Sequence, residues 1–157
     1  MSRESPPALD APPPRLGEVL EFMQLIWALD HGLQKTSKAM KSAIGVTGPQ
    51  RLVVRMVARF PGIRAGEIAR LLRVHPSTLT GILQRLERQG LVRRRRDPQD
   101  RRRVFLGITE QGRRIDAAGA GTVEAAVERV ISRAPPARLA AARRILRDLA
   151  AALSGED

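Results

Sequence analysis

The sequence predicts a mainly α-helical chain with one small β-hairpin. Along most of its length, apolar residues recur at spacings of three and four, the pattern of helices that bury one face. After residue 91 the period changes to two, which indicates strands. Aromatic residues make up only 3% of the 157 residues, so the core must be built from aliphatic side chains. A chain of this length is one domain's worth of polypeptide, with room for an arm.

The N-terminal region divides into an arm and a helix. Residues 1–14 hold five of the 11 prolines, a composition typical of a disordered or extended segment. From Leu16 to Leu33 the apolar residues form one helical stripe, and turn-prone residues at Ala43–Gly45 should end this helix. We therefore expect a disordered arm over 1–14 and an N-terminal dimerisation helix within 15–45.

Two short helices are predicted next. Thr47 and Gln50 have the spacing of a capping box, in which each residue's side chain satisfies the other's backbone N–H. The helix that they begin should end at Pro61-Gly62 and carries four apolar residues on one face: Val53, Met56, Val57 and Phe60. A third helix shows the same spacing: Ala65, Ile68, Ala69 and Leu72.

The helix predicted over 76–89 has one apolar and one polar face. Pro76 suits its first position, because the missing N–H would lack a partner there anyway, and Gly90 suits its end. The inward positions are Leu79, Ile82, Leu83 and Leu86. At 100° per residue, the outward face and its flanks hold Ser77, Thr78, Thr80, Gly81, Gln84, Arg85 and Arg88.

An Arg-rich hairpin should follow this helix directly. Val104, Leu106 and Ile108 alternate with more exposed positions, which indicates a half-buried strand that can pair with 92–96. Between the strands, Asp97-Pro98-Gln99-Asp100 is turn chemistry. Seven of the eleven residues 93–103 are Arg. That is more charge than protection of an edge strand requires.

The C-terminal region is predicted to be helical. Thr109 should cap a long helix over about 110–133 that ends at Pro135-Pro136. The last helix has apolar residues at alternating spacings of three and four, typical of a coiled-coil seam: Leu139, Ala142, Leu146, Leu149 and Leu153. We expect dimerisation helices over 110–153 and a tail over 154–157. The alternative is that both terminal segments fold back on the lobe over 46–109.

The net charge of +12 is concentrated in the middle of the chain. Residues 50–114 hold 17 Arg and five acidic residues, so the whole excess lies there. Guanidinium groups recognise phosphates and base edges, which indicates a double-stranded DNA partner. Binding to an anionic membrane surface would need a basic amphipathic helix, and the Arg runs are not spaced that way.

The composition excludes several other functions. There is no Cys, so disulfides, thiolate metal sites and Cys nucleophiles are excluded. The two His are far apart, and no Gly-rich phosphate loop or nucleophile–base set is present. No apolar run spans a membrane, and the N-terminus does not resemble a secretory signal. We therefore expect a cytoplasmic, non-enzymatic protein without a metal or cofactor.

Two short helices followed by an Arg-rich hairpin form a module of the size of a DNA groove. A major groove admits one α-helix, and Arg at a hairpin tip can enter the minor groove. Glycine within a helix costs about 1 kcal/mol relative to Ala, which makes sense at Gly81 if a side chain there would meet DNA. The alternative is a tolerated surface glycine. The predicted DNA-binding residues are Ser77, Thr78, Thr80, Gly81, Gln84, Arg85, Arg88, Arg94, Arg101 and Arg102.

Over roughly residues 16–153 the chain resembles MarR-family winged-helix regulators. The motifs that carry the resemblance are Thr47-x-x-Gln50, Pro76-Ser77-Thr78-Leu79-Thr80, Leu86-Glu87-Arg88-Gln89-Gly90-Leu91-Val92, Asp97-Pro98-Gln99-Asp100-Arg101-Arg102 and Ile108-Thr109-Glu110-Gln111-Gly112. The resemblance implies a winged helix-turn-helix lobe and a homodimer whose first and last helices intertwine. It places helix 76–89 in the major groove. It also implies that Arg101 or Arg102 enters the minor groove while the other pairs with a wing-bracing Asp97 or Asp100.

The resemblance also bears on regulation. Many members are repressors relieved by phenolic or other small aromatic anions bound between the two lobes, whereas the oxidation-sensing branch uses a Cys that this chain lacks. Trp27 and His31, four residues apart on the first helix, are candidates for a pocket wall; the alternative for them is core or interface packing. His75 is expected to be a helix cap or a phosphate contact.

These observations predict a dimeric, sequence-specific transcriptional regulator that acts as a repressor. It should read a near-palindromic operator with half-sites about one DNA turn apart, ~34 Å. The alternative is an architectural protein that binds DNA largely independently of sequence. A regulator should prefer its site over random DNA by roughly 10³-fold or more.

Overall fold

The computed structural model describes residues 15–100 and 103–155. The chain divides into two units, with the boundary between Gly32 and Leu33. In order, the elements are α1 (Glu18–Ile44), α2 (Gly48–Arg59), α3 (Ala65–Leu72), α4 (Pro76–Arg88), β1 (Val92–Arg96), β2 (Val104–Ile108), α5 (Glu110–Ala117), α6 (Val123–Ile131) and α7 (Pro136–Ser154). The prediction of a mainly helical chain with one small hairpin is confirmed.

The described part of the first unit, residues 15–32, consists of the N-terminal stretch of α1 and the residues before it. All of its side chains are exposed, including several large apolar ones such as Leu20, Met23 and Leu25. The helix therefore presents apolar surface along this stretch.

The core of the second unit is aliphatic, as the composition predicts. It lies among α2, α3, α4 and the hairpin, and its most buried members are Val46, Val53, Val54, Val57, Ile68, Leu79, Leu83, Leu86, Val92 and Leu106. Phe60 departs from the prediction. It follows the last residue of α2 and is exposed, because the helix ends at Arg59 before the stripe reaches it.

Local signals fix the ends of the core helices. The predicted capping box is present at α2: the Gln50 N–H donates to Thr47 Oγ1 over 3.4 Å, and the Thr47 N–H donates to Gln50 Oε1 over 2.9 Å. At the start of α3, hydrogen bonds from the side chain and backbone of Arg64 lower the pKa of Glu67 below its ordinary value. Gly90 follows α4 with φ +68°, a left-handed conformation that favours glycine.

The hairpin is antiparallel, and its second strand is attached to the rest of the lobe through Leu106. Val92 pairs with Ile108 and Arg96 with Val104. The Leu106 N–H donates to the carbonyl of Ile63, in the loop between α2 and α3, over 3.0 Å. Because Leu106 is also buried, β2 is held to the lobe by both a hydrogen bond and apolar packing.

The long helix predicted over about 110–133 is wrong, because the structure has two helices there. Residues 118–122 separate α5 from α6, with Gly121 at φ +74° and the Thr122 side chain accepting from the Ala125 N–H. The guanidinium of Arg51 donates to carbonyls near the end of α5, which a continuous helix would have used itself. A tertiary contact thus supports the break.

The last helix, α7, contains no buried residue. Much of the predicted seam is therefore exposed in the single chain: Leu153 is 77% exposed and Leu146 57% exposed, whereas Leu139 and Leu149 are half-buried. α6 likewise exposes Val127, Val130 and Ile131. In the described part of the chain, no helix combines the length and apolarity needed to cross a membrane.

Candidate nucleic-acid interface

The N-terminus of α4 is fixed by His75. The backbone N–H of Ser77 donates to His75 Nδ1 over 3.3 Å, and the same nitrogen lies 2.7 Å from Ser77 Oγ. His75 is therefore a cap, one of the two roles expected for it. The hydroxyl of Thr80 donates to the carbonyl of Pro76 over 2.9 Å, which leaves its oxygen lone pairs free to accept.

The structure brings the predicted α4 residues together on one surface. Leu79, Leu83 and Leu86 are buried and attach the helix to the core, and Ile82 packs against the same core, so the polar positions face outward. Those that are exposed are Ser77, Thr78, Thr80, Gln84, Arg85 and Arg88.

Gly81 lies on the same helix, and the space that a side chain would occupy there is open. No heavy atom lies within 4 Å of the point where a Cβ would be, so the protein itself does not require glycine at this position. The backbone of α4 is thus accessible to a partner that approaches closely at Gly81.

The first strand of the hairpin continues this basic surface. Arg93, Arg95 and Arg96 are exposed. Arg94 is engaged within the protein, because its Nε lies 2.5 Å from Glu87 Oε1 near the end of α4. From the sequence, Arg94 was predicted only as a DNA contact, and its partner Glu87 was not predicted, although the two residues are only seven positions apart.

The turn of the hairpin is braced by its acidic residues. Asp97 Oδ1 accepts from the Gln99 N–H over 2.8 Å, and the Asp97 N–H donates to the Arg103 carbonyl over 2.9 Å. Asp100 Oδ2 lies 3.3 Å from Arg103 Nε. Arg103 is thus a partner that the sequence analysis did not identify. Arg101 and Arg102, predicted to contact DNA, lie outside the described residues.

A cavity of about 360 Å³ lies behind α4. Its wall draws on α1, α2, α3, α4, α6 and the turn after α3, and it is formed by Leu33, Ser37, Gly48, Pro49, Leu52, Val53, Leu72, Val74, Leu79, Ile82, Val123 and Glu124. Trp27 and His31, the predicted pocket residues, are exposed and are not part of this wall. Their role stays a prediction.

Arg51 lies at the junction of α2, α5 and α6. The residue is 1% exposed. Its guanidinium donates to the carbonyls of Ile115, Asp116 and Ala118, and its Nε lies 3.2 Å from Glu124 Oε2. This buried role of Arg51 was not predicted from the sequence, in which Arg51 is one of the Arg of residues 50–114.

The family comparison agrees with this geometry. Residues 46–104, which include α2, α3, α4 and the first strand, match the sequence model described as the MarR family. Over these residues the chain is similar to the MarR family. In the MarR-family fold, α3 and α4 are the helix-turn-helix and the β1–β2 hairpin is the wing, as the resemblance implied.

Individual relatives are named as regulators of transcription. "Transcriptional regulator HosA" of Escherichia coli O111:H- is 38% identical over 85 residues, 54% of this chain and 63% of HosA. "HTH-type transcriptional repressor Mb2911" of Mycobacterium bovis is 29% identical over 109 residues, 69% of this chain and 78% of the relative. The chain thus matches somewhat less than two thirds of the length of HosA. Both relatives are named as transcriptional regulators and not as enzymes.

A solved structure extends the similarity beyond the winged helix. CouR from Rhodococcus jostii RHA1, crystallised with p-coumaroyl-CoA, has a TM-score of 0.68 and 25% identity. The alignment covers 87% of this chain and 94% of CouR. The fold similarity therefore includes helices outside residues 46–104. Within the described residues, no group of three or more His, Asp or Glu side chains is placed to hold a metal ion.

Proposed function

We propose that the protein is a homodimeric, sequence-specific DNA-binding repressor that a small aromatic molecule releases from a near-palindromic operator. The observation that carries this proposal is the outward surface of α4. Short polar side chains, Arg85, Arg88 and the open position at Gly81 share this surface. Such a helix can approach base edges in a major groove closely.

The wing supports the same mode of DNA binding. Its first strand presents Arg93, Arg95 and Arg96 to solvent beside α4. Arg side chains are attracted to the negative potential of a narrow minor groove. We propose that Arg101 or Arg102, between the two strands, enters that groove, while phosphate contacts by the remaining Arg add affinity that does not depend on sequence.

The exposed apolar surfaces support a dimer. α1, α6 and α7 all present large apolar side chains, among them Leu20, Val130 and Leu146. Exposed apolar surface of this kind marks interaction sites. A twofold dimer would present two copies of α4 and thereby require an inverted-repeat operator.

The cavity supports regulation by a ligand. Leu79 and Ile82 belong to the inner face of α4 and also line the cavity, so an occupant would contact the helix proposed to read DNA. A ligand that binds better to one conformation shifts the population toward it. The Mycobacterium bovis relative, which is named as a repressor, supports repression, and the p-coumaroyl-CoA bound to CouR supports an aromatic ligand.

Selection of binding sites from a random duplex library tests the DNA-binding proposal. We expect the purified full chain, at near-physiological salt, to enrich an inverted repeat with half-sites about one helical turn apart, ~34 Å. The alternative is an architectural protein that binds DNA largely independently of sequence, and the density of Arg in the wing is the observation in its favour. It predicts tight, salt-sensitive binding without any enriched sequence, and that result would contradict a sequence-specific regulator.

A further inference from the structure

The wall of the cavity behind α4 is almost entirely apolar and contains no cationic residue among those the structure describes. Ten of its twelve residues are Leu, Ile, Val, Gly or Pro, and the two others are Ser37 and Glu124. The Ser37 hydroxyl oxygen accepts from the Gly48 N–H over 2.8 Å. Glu124 therefore supplies the only charged group of the described wall.

The nearby guanidinium of Arg51 is engaged elsewhere. Arg51 is 1% exposed and is absent from the described cavity wall. It holds three backbone carbonyls near the end of α5 as well as Glu124 Oε2. Turning this guanidinium toward an anion in the cavity would remove a donor from each of these carbonyls and break the ion pair with Glu124, which is costly.

Glu124 itself has acceptor capacity to spare. Its Oε2 faces Arg51 over 3.2 Å, whereas Oε1 accepts no hydrogen bond from the residues that the structure describes. The side chain is 27% exposed and belongs to the cavity wall. A donor group of an occupant can therefore reach an ionised carboxylate at one end of an otherwise apolar site.

On the basis of the effector site proposed above, we propose that this cavity selects an uncharged, largely apolar molecule that donates one hydrogen bond to Glu124. It rejects carboxylate anions. An anion would lose its hydration against an apolar wall and would face the like charge of Glu124. A neutral phenolic O–H or an N–H would instead form a charge-assisted hydrogen bond. The volume of about 360 Å³ falls within the range of small-molecule sites.

Two probes of matched size test the charge preference directly. Propyl 4-hydroxybenzoate is a neutral phenolic ester, and 4-propoxybenzoate is the anion that its isomeric carboxylic acid forms at neutral pH. Titration calorimetry on the full-length chain should show the ester binding at least about tenfold more tightly than the anion, since a hydrogen bond to a charged group is worth this much or more. Propyl 4-methoxybenzoate, which lacks the donor, should bind about tenfold more weakly than the phenolic ester.

Variants connect the preference to Glu124. Glu124→Gln keeps an acceptor for Arg51 but removes the charge, and it should reduce the ratio between ester and anion affinities by about tenfold. Glu128→Gln is the matched control, because Glu128 is exposed one turn further along α6 and does not line the cavity. Val123→Phe should fill the cavity and abolish binding of the ester. Circular dichroism and thermal unfolding verify the fold of each variant.

These measurements distinguish a failure of the proposed ligand class from a failure of the proposed DNA-binding function. Equal or tighter binding of the anion, failure of the ester to bind, or an unchanged ratio in folded Glu124→Gln overturns the ligand class. If Glu124→Gln does not fold, the affinities of the ester and the anion for the unmodified chain decide whether the proposed ligand class is correct. DNA titrations run in parallel report the proposed function by themselves: loss of preference for the selected duplex contradicts it, whereas retained preference confines the failure to the ligand.

Discussion

Glu87 and Arg94 join the C-terminal turn of α4 to the first strand of the wing. Glu87 Oε1 lies 2.5 Å from Arg94 Nε, and both side chains are partly exposed. The pair bridges the short connection between the two parts of the lobe that are proposed to enter adjacent grooves. This ion pair therefore constrains the orientation of the wing relative to α4.

Glu87→Gln should therefore affect sequence preference more than stability. A partly exposed ion pair contributes at most about 1 kcal/mol to the free energy of unfolding. The preference for the selected duplex over random DNA should fall by up to about tenfold, equivalent to ~1.4 kcal/mol, because Arg94 is no longer held. Competition binding measures this ratio.

Glu110→Gln is the control for that experiment, because it makes the same change in charge in the more exposed Glu110–Arg113 pair on α5. It should leave the sequence preference unchanged. If both variants change the preference equally, the effect reflects net charge and not the position of the wing.

Gly81→Ala should change stability and DNA binding in opposite directions. The Cβ position is open, so the variant should gain about 1 kcal/mol of helix stability. A methyl group on the surface proposed to meet base edges should lower affinity for the selected duplex by about 1–3 kcal/mol, the magnitude of a good base contact. Urea unfolding and fluorescence anisotropy measure the two quantities.

Gly66→Ala on α3 provides the comparison, since its Cβ position is also open and α3 is not proposed to enter the groove. It should leave DNA affinity unchanged. Unaltered affinity in Gly81→Ala would mean that α4 does not approach DNA closely at this residue.

Gly112→Ala should destabilise the lobe. An added Cβ would overlap the carbonyl oxygen of Leu91 and lie 2.8 Å from Ile108 Cγ1. The Leu91 carbonyl also accepts from the Thr109 N–H over 3.2 Å, so it cannot move away freely. We expect a loss of about 1–3 kcal/mol or more in the free energy of unfolding, measured by urea titration.

Gly119→Ala, at an exposed position with no heavy atom within 4 Å of the new Cβ, should be nearly neutral by comparison. A Gly112→Ala variant as stable as the unmodified chain would show that α5 can shift away from the hairpin at little cost.

Much of the winged lobe could be predicted because its local and tertiary preferences agree. Thr47 and Gln50 cap α2 as expected, and Pro76 begins α4 as expected. In each case the helix boundary is determined by a few neighbouring residues. The outward residues of α4 follow from the same periodicity that buries Leu79, Leu83 and Leu86.

The features that the sequence analysis missed depend on residues distant in the chain. The break at 118–122 is supported by Arg51, which is 64 to 67 positions away from the carbonyls it binds. Gly119 and Gly121 were the local signal for this break, and the prediction of one long helix did not take them into account. The cavity combines residues from five helices, and no single segment of them carries a recognisable pattern.

A pair of substitutions on α7 tests the dimer. Leu146→Asp together with Leu149→Asp places two charges on an apolar face that is not buried in the single chain. Burying unpaired charges in an interface is strongly unfavourable. Sedimentation should therefore show monomers, and binding to an inverted repeat should weaken because only one half-site is contacted at a time.

Arg144→Asp makes the same total change in charge elsewhere on α7, at an exposed residue outside the predicted seam. It should leave the dimer intact. A double variant that still sediments as a dimer would locate the interface away from α7.

Arg51→Met should be among the most destabilising single substitutions in the chain. It removes one donor from each of three backbone carbonyls and leaves Glu124 without its buried partner. Breaking a fully buried pair by removing one member costs about 3–5 kcal/mol, which is an upper bound here because Glu124 is 27% exposed. Arg55→Met is the matched control on the same helix, because Arg55 is 45% exposed and lies 3.8 Å from Asp116, and its loss should cost at most about 1 kcal/mol. Urea unfolding of both variants measures the difference. Equal stabilities would mean that α5 and α6 hold their positions without the Arg51 contacts.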